Sequence, residues 1–339
     1  MIRIDTSPLD NIKNDYIKLV KKYFNYNVSK KNKKKQIINK DKLINIFQNS
    51  NTMESKMLKY FHINLEKIIT AKPEDLENQN KLFLKRINYN KNDKVHIAQF
   101  DFFKARMINY YKYFFQEKFI HKGEEINYGR WLSKIMGVNV CPYCNHNYIF
   151  TLNDNDNKVY TKPEFDHFYS KSDFPLLSLS LYNLVPSCSV CNKIKLKKEI
   201  SFFPYRENCK ETLKFIIDSE GDENPHQWVT GEGKINLKIK HTFDGINETS
   251  DLKDTIILQL GIDKIYSEHL DYVEELLDKV YAYNKDYYTS MIDSYNGLNK
   301  TPQQIETIIW GAYLEENKKR PLSKLTADIL DQLKIKRIE

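Results

Sequence analysis

The sequence predicts an α+β protein, mostly α-helical, in which a small strand-bearing core is flanked by helical regions. Three observations lead there. Apolar residues recur at three- and four-residue spacing through residues 1–130 and again from Ser250 to Tyr288. From Cys141 the pattern changes to short extended runs joined by polar turns. Two C-x2-C pairs, Cys141/Cys144 and Cys188/Cys191, bracket those runs.

Along the chain, "YIKLVKKYF", "DKLINIFQ" and "MLKYFHINLEKII" carry the helical stripe of the N-terminal region. Between Lys21 and Lys42 lie nine lysines, which read either as a solvated face or as a phosphate-contacting patch. "NYIFTL", the polar "NDNDNK" and "VYTKPEFDHF" read as two strands and a turn. "LYNLVPSC" is a further extended piece, and "NKIKLKKEI", without a breaker, a short helix. The core order is therefore strand, strand, loop, strand, helix. A short β element is expected near 235–243, where Ile235, Leu237, Ile239, His241 and Phe243 alternate onto one face. "TPQQIETIIWGAYLEEN" starts a helix with Thr301 as N-cap and Pro302 at the first position. With Gly and Pro scarce at ten each and no repeat, the organisation reads as three segments. These are a helical region 1–130, a core 131–205 and a mainly helical region 206–339.

No apolar run reaches the roughly 20 residues of a membrane helix, and the N-terminus carries no secretory signal, so a cytoplasmic protein with no membrane partner is expected. A net charge of +8 points to an anionic partner, although a chain this rich in Lys, Asn, Ile and Tyr also fits AT-biased codon usage.

In a reducing compartment the two C-x2-C pairs favour metal over disulfides. Four thiolates in two tight turns complete a tetrahedral site for Zn2+, structural because it is closed. A redox C-x2-C would precede a helix in a βαβ setting, which is not seen here. Cys209 is left over as a structural thiol.

Between the pairs, Asp166 and His167 are adjacent, so they share one site only at a bend or strand end. Asp166 offers a charged oxygen and Asn192 a neutral one. That is a light ligand set for Mg2+ or Mn2+, which then keeps waters and meets phosphate directly. His167 is suited to take a proton from water near neutral pH.

The series Cys141–Cys144, Asp166–His167, Asn183, Cys188–Cys191–Asn192, Lys195 resembles the zinc-bearing form of the HNH (ββα-metal) endonuclease motif, with Asn as its third letter. It is most similar to the bacterial antiphage-defence group, the Septu-type and retron-associated HNH proteins. Where that group carries Pro before Lys-Ser, this chain has Ser170. The resemblance covers about Trp131 to Ile200 and leaves the flanks unplaced.

It implies His167 as general base, Asp166 and Asn192 as ligands of the catalytic metal, and Asn183 as a brace for the histidine loop. It also implies Lys171 and Lys195 as candidate phosphate contacts. His146 reads as a packed or exposed histidine and Arg206 as half of an ion pair. The implied activity is metal-dependent hydrolysis of phosphodiester bonds in nucleic acid, DNA before RNA, in antiviral defence and triggered by a partner ATPase. The alternative is a zinc-stabilised module that binds nucleic acid or a partner without catalysis.

Overall fold

The computed structural model describes residues 2–25, 52–121, 123–153, 159–198, 200–206, 211–219, 235–243, 246–247, 256–283, 285–295 and 297–335. Cys209, "DKLINIFQ" and most of the Lys21–Lys42 run lie outside the described residues. The fold is α+β with small antiparallel sheets. The chain divides into two compact units that interleave in sequence and so cut across the three segments above. A histidine unit takes Asp5–Gly137 and Thr151–Pro186. A cysteine unit takes Met1–Ile4, Val138–Phe150 and Ser187–Glu339.

The histidine unit holds α1 (Ser7–Asn25), α2 (Met53–Ile63), α3 (Leu65–Ile69), α4 (Leu76–Arg86), α5 (Lys94–Gln116) and α6 (Tyr128–Met136). Its strands are the hairpin β1 (Lys118–His121) and β2 (Glu124–Asn127), then β3 (Leu152–Asn153), β4 (Val159–Thr161) and β5 (Glu164–His167). β5 pairs with β6 (Leu184–Ser187), whose last residue passes to the other unit. The central helix is α5. Asp93 starts it by accepting from the Val95 and His96 N–H groups, two donors the first turn cannot satisfy internally. Phe103, Met107, Tyr110 and Phe114 then recur on one face and are buried. Rings pack there edge to face, Phe24 on Tyr110 at 5.0 Å and Tyr16 on Phe114 at 5.9 Å, and Phe114 stacks on Tyr128 at 4.4 Å.

Leu176, Leu177, Leu179 and Leu181 sink into this core and carry the loop between β5 and β6 with them. Tyr16 Oη donates to Leu179 O at 2.8 Å, Ser180 Oγ to Ile68 O at 2.8 Å, and Tyr182 Oη to Asp10. The histidine loop is thus tied to α1 and α3 by side-chain hydrogen bonds, of which the one from Tyr16 satisfies a buried carbonyl of the loop.

The cysteine unit holds α7 (Ser189–Lys195), β7 (Glu211–Ser219), β8 (Ile235–Phe243), β9 (Ile246–Asn247), α8 (Ile256–Leu260), α9 (Ile262–Ser267), α10 (Leu270–Ala282), α11 (Lys285–Ser294), α12 (Pro302–Trp310) and α13 (Ser323–Gln332). The expected strand at 235–243 is β8. Its long antiparallel partner, β7, was not expected in a mainly helical segment, nor was the β1–β2 hairpin in the N-terminal one. β7 buries Leu213, Phe215 and Ile217, an alternation in "ETLKFIIDS" that the strand period explains. Side chains of α13 close its other edge. Asp328 Oδ2 accepts from Phe215 N–H at 2.9 Å, and Gln332 both accepts from and donates to the Ile217 backbone at 2.8 Å. A carboxylate and an amide side chain here stand where a neighbouring strand would pair. Thr301 and Gln304 form a capping box with Pro302 at the first turn of α12, the start expected from sequence.

Candidate functional site

The first candidate centre lies in the cysteine unit. Residues 139–149 fold back on themselves, with Val140 bridging Tyr148, Ile149 N–H donating to Asn139 O at 2.8 Å and Cys141 N–H to Asn147 O at 2.9 Å. The turn needs a left-handed residue just after Cys144. Asn145 supplies it, at φ 51°, a conformation that asparagine tolerates better than most side chains. Asn145 is fully buried and links the turn to the C-terminal region: its amide donates to Asn317 O at 2.9 Å, its Oδ1 accepts from Lys324 N–H at 3.0 Å and its backbone O from Leu322 N–H at 2.8 Å. Tyr266 Oη donates to Cys144 O at 2.7 Å.

The second pair starts α7, where Cys188 serves as N-cap through its sulfur, accepting from Cys191 N–H at 3.4 Å. The four sulfurs of Cys141, Cys144, Cys188 and Cys191 all lie within 4.8 Å of one another, and all four residues are buried. Metal–sulfur bonds of about 2.3 Å in a tetrahedron place sulfurs about 3.8 Å apart, so the cluster could hold a metal such as zinc. N–H groups already point at the sulfurs: His146 N–H to Cys144 at 3.4 Å and Asn147 Nδ2 to Cys188 at 3.5 Å. Such donors stabilise thiolate ligands and orient them. Burial pushes the Cys141 thiol well above its ordinary range, and a cation among the four sulfurs would offset the cost of burying thiolate charge. Among the described residues this is the one group of three or more His, Cys, Asp and Glu ligands close enough to share an ion. His146 is not in it; its ring packs on His269 at 4.9 Å. Arg206 lies over the Phe203 ring at 5.5 Å.

The second candidate centre lies in the histidine unit, at the end of β5. Asp166 is 3% exposed and His167 5%. His167 Nε2 is 3.0 Å from Ser178 O. A carbonyl oxygen only accepts, so Nε2 carries the proton and the ring's lone pair is at Nδ1. Asn183, 0% exposed, holds both ends of the loop: its Oδ1 accepts from Tyr169 N–H at 2.8 Å, and its Nδ2 donates to Tyr169 O at 3.0 Å and Leu177 O at 3.2 Å. Its backbone O accepts from Phe168 N–H at 3.0 Å. An asparagine offers one acceptor and two donors, and this position uses all three.

Tyr111, from α5, packs edge to face on His167 with ring centroids 4.5 Å apart. Lys171 Nζ sits 4.9 Å from the Tyr111 ring centroid. Burial, with the Asp166 and Glu164 carboxylates nearby, pushes the Tyr111 phenol well above its ordinary value, so it stays neutral. Burial pulls the Lys171 ammonium below its ordinary value, against the opposing pull of Asp166.

The expected residues therefore fall into two sets. Asp166, His167, Asn183 and Lys171 belong to the histidine unit; the four cysteines, Asn192 and Lys195 belong to the cysteine unit. On α7, Asn192 is half-buried and its N–H donates to Cys188 O at 3.0 Å, while Lys195 is 0% exposed. Three residues escaped the sequence reading. Asn145 and Asn147 had a local signal, since a turn after a C-x2-C pair needs a left-handed residue and donors for sulfur. Tyr111 had none, being one tyrosine in an aromatic-rich helix. No protein-family model, curated protein or solved structure matches the chain. Among the described residues no helix is long and apolar enough to cross a membrane.

Proposed function

We propose that the chain is a metal-dependent endonuclease of the HNH type that hydrolyses phosphodiester bonds, with DNA as the substrate to test first. The observation that carries this reading is the buried Asp166–His167 pair at the end of β5, with the imidazole oriented by its Nε2–H bond to Ser178 O at 3.0 Å. In that tautomer His167 Nδ1 accepts a proton from water as the water's oxygen attacks phosphorus and the P–O bond to the leaving oxygen breaks. Ser178 O stabilises the imidazolium that results, and Asn183 keeps the loop in place while the charge appears. Asp166 offers one carboxylate, the light ligand set that Mg2+ or Mn2+ accepts. When bound, the divalent cation supplies positive charge for the phosphate and leaving oxygens.

The sequence pattern assigns a ligand role to Asn192, and Asn192→Ala tests it. Of the two candidate lysines, half-buried Lys171 is better suited to meet phosphate than fully buried Lys195. Zinc on the four cysteines is structural in this reading, and a partner ATPase is the trigger to supply if the chain alone is silent.

The test is plasmid and linear-DNA cleavage with Mg2+ or Mn2+. His167→Ala is expected to cut on the order of 10²–10⁴-fold more slowly, the usual worth of a general base, in a protein that remains folded. Wild-type protein that cuts neither DNA nor RNA, with and without the product of a neighbouring ATPase gene, would leave only a zinc-stabilised binding module.

A further inference from the structure

We propose that Tyr111, on the long α5 helix, positions the His167 imidazole for the hydrolytic step, which makes α5 part of the reaction site and not only a scaffold. The proposal rests on the nuclease reading for its kinetic consequence and on geometry for the positioning itself. His167 Nε2 lies 3.0 Å from Ser178 O. That bond chooses between the two flips of the ring, because a flipped imidazole would present carbon to the carbonyl. It does not set the tilt of the ring plane. The χ2 torsion of histidine is broad and roughly two-fold, so a ring packed against the imidazole adds a constraint on its tilt. Tyr111 supplies it: the two rings meet at 4.5 Å with an interplanar angle of 74°, the edge-to-face arrangement that aromatic quadrupoles favour.

α5 is itself held in register against β5. Phe115 lies one turn beyond Tyr111 on the same face and packs on Phe165, the strand residue before Asp166, at 5.7 Å. Two rings of one helix turn therefore meet two residues of the strand that carries the acid–histidine pair. The Lys171 ammonium lies 4.9 Å from the Tyr111 ring centroid, so the same ring also fixes a cation beside the site. Nothing in this arrangement uses the phenol oxygen. The ring is the working part, and that separates the proposal from a hydrogen-bonding or acid–base role for Tyr111.

Misplacing a catalytic group by about 1 Å costs on the order of 10²-fold in rate. Tyr111→Phe, which keeps the ring, should retain wild-type kcat. Tyr111→Leu and Tyr111→Met, which keep bulk without the ring, should lose on the order of 10²-fold in kcat with KM unchanged and the chain still folded. Long-range 1H–15N spectra of histidine-labelled protein add a readout that needs no turnover. His167 should show the Nε2–H tautomer and a contact to the Tyr111 ring in wild type and Tyr111→Phe, and a shifted or mixed signal in the Leu and Met variants. A wild-type His167 spectrum in a folded Leu or Met variant, or no Tyr111–His167 contact in the wild-type protein, overturns the positioning. So does a loss in Tyr111→Phe as large as in Tyr111→Leu. If the wild-type protein cuts no nucleic acid while the spectra behave as expected, the nuclease reading fails and the positioning stands.

Discussion

At the centre of the cysteine unit four buried sulfurs lie within 4.8 Å of one another; at that of the histidine unit an imidazole and an amide each find backbone partners within the unit. The four sulfurs lie close enough together to share a metal ion such as zinc. Asn183, by contrast, satisfies three hydrogen-bonding atoms without help. One centre is therefore arranged as a metal could hold it, and the loop of the other is held by hydrogen bonds within the protein.

The largest effect that separates the two is metal removal. A structural zinc contributes about 10–16 kcal/mol of apparent binding energy at neutral pH. A strong chelator should therefore release one zinc per chain and expose amides of residues 138–150 and 187–195 to hydrogen exchange, while α5 amides stay protected. Protection lost equally in both units would break the comparison, and a protein purified without zinc would remove its premise. Next in size is Asn183→Ala, which leaves the Tyr169 N–H and the Tyr169 and Leu177 carbonyls without their partner. At roughly 1 kcal/mol for each hydrogen bond, and more where a buried group is orphaned, the histidine unit should lose about 2–4 kcal/mol in denaturant unfolding. Zinc content should not change. The smallest is Gln332→Ala, which reopens the β7 edge at Ile217 and should cost about 1–3 kcal/mol. Its effect should fall on exchange in β7 and α13, with the Asp166–His167 segment unaffected.

Legibility differed between the units for related reasons. The four cysteines could be read as one cluster because metal ligation imposes a spacing, two residues within each pair, that survives in a linear string. The α12 start was legible because Thr301, Pro302 and Gln304 are local neighbours acting on one helix turn. β8 was legible from its alternation, whereas β7, which alternates as well, passed unnoticed among helical segments; its outer edge could not be anticipated, because it is closed by Asp328 and Gln332 more than a hundred positions away. The Asp166–His167 pair was visible as chemistry, but its burial and tautomer were not, since Ser178 O reaches the ring only once the leucines of the loop sink into the aromatic core.

By itself the sequence determined the residue types available to each centre and the local turns that present them: two cysteine pairs, an adjacent acid and histidine, and an asparagine in reach of the histidine loop. Only the tertiary structure decided that these fall into two interleaved units, that Lys195 is buried, and that Tyr111 lies against His167. Spacing rules act over one turn or one strand, where covalent geometry limits the outcomes. Which tyrosine of an aromatic helix meets a given imidazole depends on how whole helices pack, and many residues of nearly equal hydrophobicity compete for that contact.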